Sequence, residues 1–310
     1  MRIIFFGTPE FAVPTLNALA GSHEVVLVVA QPDRPAGRGM KLQPPAVAVR
    51  ARELGLPLIQ PAKIRTQEFL DVVKDARPDA GVVIAYGRIL PSSLLAIPKY
   101  GFLNVHASVL PRWRGAAPIQ RAIEAGDRVT GVTIMRVDEE LDHGPTFEIV
   151  TTEIGPDERA PSLFARLASL GNEALLRALA ALETGTAVEH EQHHEHATLA
   201  PKIDKSEGEV HFDTATATQI YDRFRAFDPW PGSFLRMGEE TFKLTDMAPA
   251  AGRGEPGTIL EISASGVLVA AKESAIRIIE MQRPGKPRTA AAAIARSLGW
   301  TAGSSVRESR

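Results

Sequence analysis

The 310-residue sequence contains no cysteine, and this absence removes several kinds of chemistry at once. Without thiols the chain cannot build a disulfide framework, present a thiolate nucleophile or bind a metal through sulfur. No stretch approaches the roughly 18 consecutive apolar residues that a membrane-spanning helix needs. The opening residues, MRIIFFGTPEF, form a short apolar run rather than a charged leader. We therefore expect a soluble, cytoplasmic protein that makes no contact with a membrane.

A strong net charge is also lacking, since the formal charge is −2 at pH 7. The overall balance therefore does not indicate a nucleic-acid partner. Charge is nevertheless uneven, because two short ranges, 31–52 and 277–296, each hold five basic residues and a single acid. Solvated faces explain such patches as well as phosphate contacts do. Their basic residues are Arg34, Arg38, Lys41, Arg50 and Arg52 in the first range and Arg277, Arg283, Lys286, Arg288 and Arg296 in the second.

Two glycine-containing segments fall short of known nucleotide-binding motifs. GRGMKL (37–42) lacks the full pattern of a phosphate-binding loop. Gly7 stands where a dinucleotide fingerprint would begin, but no second or third glycine follows it in GTPEF. A nicotinamide-dependent dehydrogenase is therefore an alternative that the sequence opposes.

Strand-like and helix-like segments alternate through the first half of the chain. Apolar runs such as RIIFF (2–6) and EVVLVVA (24–30) suit strands that are buried on both faces. Alternation of this kind predicts an α/β, Rossmann-like domain with a mostly parallel sheet at 1–189. Short β-like runs between 233 and 280 predict a small β-barrel, similar to an OB-fold, within a C-terminal domain at 206–310.

The stretch between these domains, 190–205, is polar and has no sustained period, so we interpret it as a linker. Its four histidines invite a zinc interpretation, but their spacing matches no closed tetrahedral signature. We therefore expect no metal. These residues are His190, His193, His194 and His196.

The segment FLNVHASVLPRWRGAAPIQ (102–120) carries the residues best suited to catalysis. Asn104 and His106 lie two positions apart at a predicted strand end, so their side chains point to the same face. Ligands bind at the carboxyl ends of strands in an open parallel sheet. Asp142 follows the predicted strand 131–137. If that strand neighbours 102–106, Asp142 lies at the same edge as His106.

These three residues together suit direct acyl transfer to an amine. An asparagine amide is a neutral donor for an oxyanion, a histidine can carry a proton, and a carboxylate can orient the histidine. No GxSxG elbow or Cys–His pair is present, so no covalent enzyme intermediate is expected. A single histidine on a strand is more often a hydrogen-bonded core residue. The coincidence of a strand end, a Pro- and Gly-rich loop and a remote aspartate favours catalysis.

Seven segments spread along essentially the whole chain carry motifs: FFGTPEF (5–11), QPDRPAGRGMKL (31–42), NVHASVLPRWRGAAPIQRAI (104–123), GVTIMRVDEELDHGP (131–145), APKIDKSEGEVHF (200–212), RAFDPWPGSF (225–234) and RPGKPR (283–288). Together they resemble the methionyl-tRNA formyltransferase family. The NVHxSxLPxxRG element is shared with other folate-dependent formyltransferases, whereas the basic loop 31–42 and the C-terminal half are similar to the tRNA enzyme. Val109 and His143 depart from the usual residues at their positions.

The resemblance implies that the chain transfers the formyl group of 10-formyltetrahydrofolate to initiator methionyl-tRNA for translation initiation. It places Asn104, His106 and Asp142 at the catalytic positions, and it implies tRNA contacts at Arg38 and Lys41. A C-terminal tRNA-binding domain and a monomeric protein are further expectations. The segment that it assigns to folate binding comprises Ser108, Val109, Leu110 and Pro111.

Two other functions stay open at this point. A folate-dependent transformylase for a small-molecule amine is the alternative within the same reaction class. A non-catalytic tRNA-binding module belongs to a different class, and the intact Asn104, His106 and Asp142 argue against it.

Overall fold

The computed structural model describes residues 1–36, 41–238 and 240–306. Its contacts divide the chain into two compact units, which are described separately below. Unit 1 comprises Met1–Pro118, Val129–Glu153 and Leu163–Ala200, and unit 2 comprises Ile119–Arg128, Ile154–Ser162 and Pro201–Arg310. The helices are α1 (Val13–Ser22), α2 (Ala46–Glu53), α3 (Gln67–Asp75), α4 (Ser92–Leu95), α5 (Pro118–Glu124), α6 (Ala160–Thr184), α7 (Ala217–Ala226) and α8 (Ala291–Ser297).

The strands of unit 1 are β1 (Arg2–Gly7), β2 (Glu24–Val29), β3 (Arg34–Ala36), β4 (Lys41–Gln43), β5 (Leu58–Ile59), β6 (Ala80–Ile84), β7 (Phe102–His106), β8 (Arg114–Gly115), β9 (Val129–Arg136), β10 (Thr146–Glu153) and β11 (Leu199–Ala200). Its main sheet has the strand order β10-β9-β7-β6-β1-β2-β5 within the described residues. The five neighbouring strands β5, β2, β1, β6 and β7 pair in parallel, whereas β9 and β10 are antiparallel. The predicted mostly parallel sheet is therefore confirmed.

Central strands of this sheet are apolar on both faces because helices cover both. In β1 the side chains of Ile3, Ile4, Phe5 and Phe6 are all fully buried. On one face the Phe6 ring meets the rings of Tyr86 and Phe102 edge-on, with centroids 5.1 and 5.4 Å apart. Such pairs contribute about 0.5–1.5 kcal/mol each beyond the area that they bury. Because Tyr86 follows β6, this cluster also fixes the loop that leaves the sheet beside β7.

Local signals explain where several helices begin. The side chain of Thr66 accepts a hydrogen bond from the Phe69 backbone N–H at 3.3 Å, which caps α3. Pro14 lies in the first turn of α1, where its missing N–H costs nothing. Helix α7 starts with a capping box in which Thr216 and Gln219 satisfy each other's backbone N–H groups.

Unit 2 contains the strands β12 (Ser233–Met237), β13 (Glu240–Ala250), β14 (Ile259–Ser263), β15 (Gly266–Ala270), β16 (Ala275–Gln282) and β17 (Arg288–Ala290). Among its described residues they form an antiparallel sheet with strand order β12-β13-β16-β15-β14, and β17 pairs with β16. The core of this unit includes Ile220 and Phe224 of α7 and Ile294 of α8. The predicted β-rich C-terminal domain is confirmed, and the structure shows that its strands pair antiparallel.

Two earlier segments of the chain, Ile119–Arg128 and Ile154–Ser162, also belong to unit 2. Arg121 forms an ion pair with Glu207 at 2.7 Å, and Glu124 pairs with Arg223 at 3.2 Å. The Arg121 hydrogen bond lowers the pKa of Glu207 below its ordinary value of 4.5. Charged contacts therefore join residues that lie 86 or more positions apart in the sequence.

The predicted linker, 190–205, is divided between the units. Residues 190–200 belong to unit 1, where β11 pairs in parallel with β8, and residues 201–205 belong to unit 2. Of the helices in the described part of the chain, none has both the length and the apolar composition needed to cross a bilayer.

Candidate active site

Strand β7 carries Asn104 and His106 to the carboxyl edge of the parallel part of the sheet. It lies between β6 and β9, with Asn104 opposite Met135 of β9 and His106 opposite Thr133. The His106 side chain is 5 % exposed and Asn104 is half-buried. Both side chains point to one face because they are two residues apart on the strand.

The turn between β9 and β10 brings Asp142 to the same edge. Asp142 has a φ of +48°, in the left-handed region that few residues other than glycine adopt. Two positions later, Gly144 approaches the backbone so closely that a Cβ would lie 2.1 Å from the Arg136 carbonyl oxygen. The turn therefore requires glycine there, and it holds Asp142 in an unusual backbone conformation.

The Asp142 carboxylate is the point at which the three residues meet. Its Oδ1 atom accepts from the Asn104 amide at 3.4 Å, and its Oδ2 atom lies 3.6 Å from His106 Nδ1. Oδ2 also accepts a 2.8 Å hydrogen bond from the Gly115 backbone N–H. An amide nitrogen has two hydrogens, so Asn104 retains one for a ligand.

The other ring nitrogen of His106, Nε2, lies 2.9 Å from the carbonyl oxygen of Trp113. A carbonyl only accepts, so Nε2 carries a hydrogen. Nδ1 is therefore the nitrogen that faces Asp142 and the one able to exchange a proton there. This arrangement can stabilise negative charge on a carbonyl oxygen, through Asn104, and move a proton, through His106.

The loop after β7 includes the four residues predicted to bind folate. Ser108 is fully buried and its hydroxyl donates to the Arg112 carbonyl at 2.6 Å, while Leu110 is 4 % exposed. Val109 and Pro111 are half-buried. Of the predicted segment, therefore, only Val109 and Pro111 expose part of their side chains.

Two residues that the sequence analysis did not single out hold this loop. Thr133, fully buried on β9, donates to the Ser108 carbonyl at 2.7 Å and accepts from the Leu110 N–H at 3.1 Å. The hydroxyl of Thr198 accepts from the Trp113 N–H at 2.9 Å. The sequence offered no signal for them beyond their hydroxyl groups, which need a hydrogen-bond partner when they are buried, as in Thr133.

Comparison with known proteins places this geometry in a family. The formyl transferase family model matches residues 1–179, and the model of the formyl transferase C-terminal domain matches residues 202–299. Methionyl-tRNA formyltransferase of Thermus thermophilus is 44 % identical over 303 residues, covering 98 % of both chains. That of Aromatoleum aromaticum is 45 % identical over 304 residues, covering 98 % of this chain and 96 % of the relative. The chain belongs to the methionyl-tRNA formyltransferase family.

Solved structures of lower identity share the fold. The sugar 3N-formyl transferase WlaRD superimposes with a TM-score of 0.66 at 14 % identity, covering 93 % of this chain and 99 % of that one. HypX from Aquifex aeolicus, in complex with tetrahydrofolic acid, gives a TM-score of 0.62 at 17 % identity. It covers 95 % of this chain and 47 % of its own. The resemblance predicted from the sequence is confirmed, and the chain is an enzyme of the formyltransferase class.

A cleft of about 580 Å³ opens among loops of unit 1. Its lining residues come from 62–66 and from Arg88 and Ile89. Arg88 donates to the Ala62 carbonyl at 2.8 Å and so joins the two sides of the cleft. Lys63 and Arg65 are exposed at its rim. Three basic residues, Lys63, Arg65 and Arg88, therefore lie at the cleft, and Arg88 follows β6, the parallel neighbour of β7.

Of the two residues predicted to bind tRNA, the structure describes Lys41. Lys41 is exposed on β4, which pairs with β3. Arg38 lies outside the described residues.

The histidines of 190–196 are partly engaged by other side chains. His194 accepts from Arg114 at 2.8 Å, whereas His193 is 81 % exposed. Within the described residues, no group of three or more histidine, aspartate or glutamate side chains is placed to hold a metal ion.

Proposed function

We propose that the chain transfers the formyl group of 10-formyltetrahydrofolate to the α-amino group of initiator methionyl-tRNA. The product is N-formylmethionyl-tRNA, which is used in translation initiation. The observation that carries this proposal is the convergence of Asn104, His106 and Asp142 at the carboxyl edge of the sheet in a member of this family. A small-molecule acceptor is not favoured, since WlaRD, a sugar formyl transferase, is only 14 % identical.

The transfer is a direct displacement through a tetrahedral intermediate. The amine nitrogen forms a bond to the formyl carbon, and the carbonyl oxygen becomes an oxyanion that the second N–H of Asn104 stabilises. The attacking amine then loses one proton, and the folate nitrogen gains one as its bond to the formyl carbon breaks. His106 carries that proton between the two nitrogens. Asp142 orients the ring and offsets its positive charge while the extra proton is held.

The residues present fit a folate donor. A folate has a polar ring system at one end and a glutamate tail with carboxylates at the other. The basic residues Lys63, Arg65 and Arg88 at the cleft suit the acidic tail. Arg88 and Ile89 follow β6, the parallel neighbour of the strand that carries Asn104. Val109 and Pro111 in the predicted folate segment offer apolar contact to the remainder.

The acceptor accounts for the remaining predicted residues and domains. Arg38 and Lys41 lie in a basic loop suited to the phosphates near the charged end of the tRNA. Residues 1–189 act as the catalytic domain, and 206–310, with its cluster Arg283, Lys286 and Arg288, contributes tRNA affinity. The protein acts as a monomer. A tRNA substrate places the reaction in the cytoplasm.

The deciding experiment incubates the protein with charged methionyl-tRNA and 10-formyltetrahydrofolate and measures N-formylation of the methionine. A parallel reaction offers an amino-sugar nucleotide as the acceptor. Formylation of the tRNA-bound methionine alone supports the proposal. Formylation of the sugar nucleotide but not of the methionyl-tRNA would overturn the proposal.

A further inference from the structure

A buried glutamine far along the chain from the catalytic residues contacts the turn that carries Asp142. Gln192 is 7 % exposed and lies on the segment 190–200 that was predicted to be a linker. Its amide nitrogen donates to the backbone carbonyl oxygens of Asp142 at 3.0 Å and of Gly144 at 2.8 Å. A buried amide with both N–H groups directed at one turn restrains that turn.

The oxygen of the same amide is held equally firmly. Arg114 is 8 % exposed and donates to Gln192 Oε1 from Nε at 3.2 Å and from Nη2 at 2.6 Å. A guanidinium only donates and a carbonyl only accepts, so the orientation of the Gln192 amide admits no flip. Arg114 immediately precedes Gly115, the residue whose N–H donates to the Asp142 carboxylate. Gln192 therefore ties together both backbone segments that hold this carboxylate.

Two further side chains close the outside of this arrangement. Arg114 also donates to His194 Nδ1 at 2.8 Å, so His194 accepts through that nitrogen. The His194 ring stacks on His143, next to Asp142, with centroids 4.0 Å apart and planes within 3°. The Nδ1 atom of His143 in turn lies 2.7 Å from Asp138 Oδ2. The turn 138–144 is thus braced from outside by the same segment that supplies Gln192.

The need for such restraint is visible in the backbone. Asp142 and Trp113 both have positive φ, at +48° and +65°, although neither is glycine. Such conformations cost about 1–3 kcal/mol each and persist only where surrounding contacts hold them. Gln192 bonds directly to the backbone of Asp142. Arg114, which bonds to Gln192 and His194, is the residue that follows Trp113.

We propose that Gln192 is a positioning residue for formyl transfer, which holds the Asp142 turn against β8 so that the carboxylate meets Asn104 and His106. The inference rests on the proposed function, since it assigns Asp142 a catalytic role. A misplacement of about 1 Å at a reacting group costs roughly 10²-fold in rate. Loss of Gln192 should therefore lower the rate of transfer without weakening the binding of folate or tRNA.

Two substitutions separate the contacts that Gln192 makes. Gln192→Met keeps the length of the side chain and removes both its donor and its acceptor. Gln192→Glu keeps an acceptor for Arg114 and removes both N–H bonds to the turn. His193→Ala, one residue along and exposed, is the matched control. Each variant is made in the wild-type chain and in an Asp142→Asn background, and single-turnover formylation, substrate dissociation constants and thermal unfolding are measured.

In the wild-type background both Gln192 variants should slow single turnover by roughly 10- to 100-fold, with substrate dissociation constants within about threefold of normal. In the Asp142→Asn background the same substitutions should cost less than about threefold, because residues that act through one another are non-additive. Equal losses in both backgrounds, or losses that follow the fall in unfolding temperature, would make Gln192 merely structural and overturn the inference. An Asp142→Asn enzyme of normal rate would instead refute the catalytic role of Asp142.

Discussion

Replacing Asp142 by asparagine tests the geometry on which the proposed mechanism depends. The new side chain has the same shape, but it has no charge and only one acceptor oxygen. That oxygen must stay at the Oδ2 position, because the Gly115 N–H points there at 2.8 Å and is fixed in the backbone. The new NH₂ group then faces the Asn104 amide nitrogen, which lies 3.4 Å from Oδ1 in the wild type. Two donors face each other, so Asn104 must turn away.

The loss of the Asp142 charge and the turning of Asn104 both reduce the rate of transfer. At the 3.6 Å separation of His106 and Asp142, a full charge pair is worth at most about 4.6 kcal/mol at an effective dielectric constant near 20. That corresponds to roughly 10³-fold in rate. Loss of an oxyanion donor costs about 10²–10³-fold. The two losses concern one coupled group and do not add, so Asp142→Asn should lower turnover by about 10²–10³-fold.

The assay is single-turnover formylation of charged methionyl-tRNA at saturating folate, with both dissociation constants measured separately. Glu139→Gln makes the same change of acid to amide at an exposed position of the same turn and is the control. In a double-mutant cycle with His106→Ala, the combined variant should be little slower than the slower single variant. Fully additive losses, or a turnover of Asp142→Asn within about threefold of wild type, would refute the paired site.

Three further changes test other parts of the molecule. Arg65→Glu should weaken folate binding by roughly three- to tenfold at low salt, and less at high salt, while the transfer rate is kept. The control is Lys74→Glu, an exposed residue of α3 outside the lining of the cleft, and an equal effect of both would exclude the cleft. Arg38→Ala should impair transfer to tRNA far more than folate binding, and equal impairment of both would remove it from the tRNA site. Glu207→Gln should lower the unfolding temperature near pH 7, because Arg121 lowers the folded-state pKa of this carboxyl. Its stabilisation is present above the ordinary value of 4.5 and is lost as the pH falls through the lower folded value; a difference from wild type that persists undiminished well below pH 4 would contradict this.

Short-range patterns were sufficient for the main elements of unit 1. The apolar runs of β1 and β2 predict strands buried on both faces, and the alternation of such runs with helices predicts a mostly parallel sheet. The pair Asn104 and His106 could also be found, because their spacing on a strand determines that they share a face. The prediction that Asp142 lies at the same edge as His106 depended on β9 being the neighbour of β7. The periodicity of a sequence does not show which strands are neighbours.

The supports of the site depend on contacts that no local pattern contains. Gln192 and Thr198 lie in an aperiodic polar stretch, and from the sequence alone such a stretch is interpreted as a solvated linker. Their hydrogen-bond partners, Arg114 and Trp113, lie about 80 residues earlier in the sequence. Likewise, nothing in the composition of 119–128 or 154–162 indicates that these segments belong with the C-terminal sheet. The sequence by itself determined the main strands and helices, because these follow from local propensity and period, and it indicated Asn104, His106 and Asp142 as candidate catalytic residues through their chemistry. Only the tertiary structure decided which buried polar groups satisfy one another, since a hydrogen-bond partner is chosen by proximity in space.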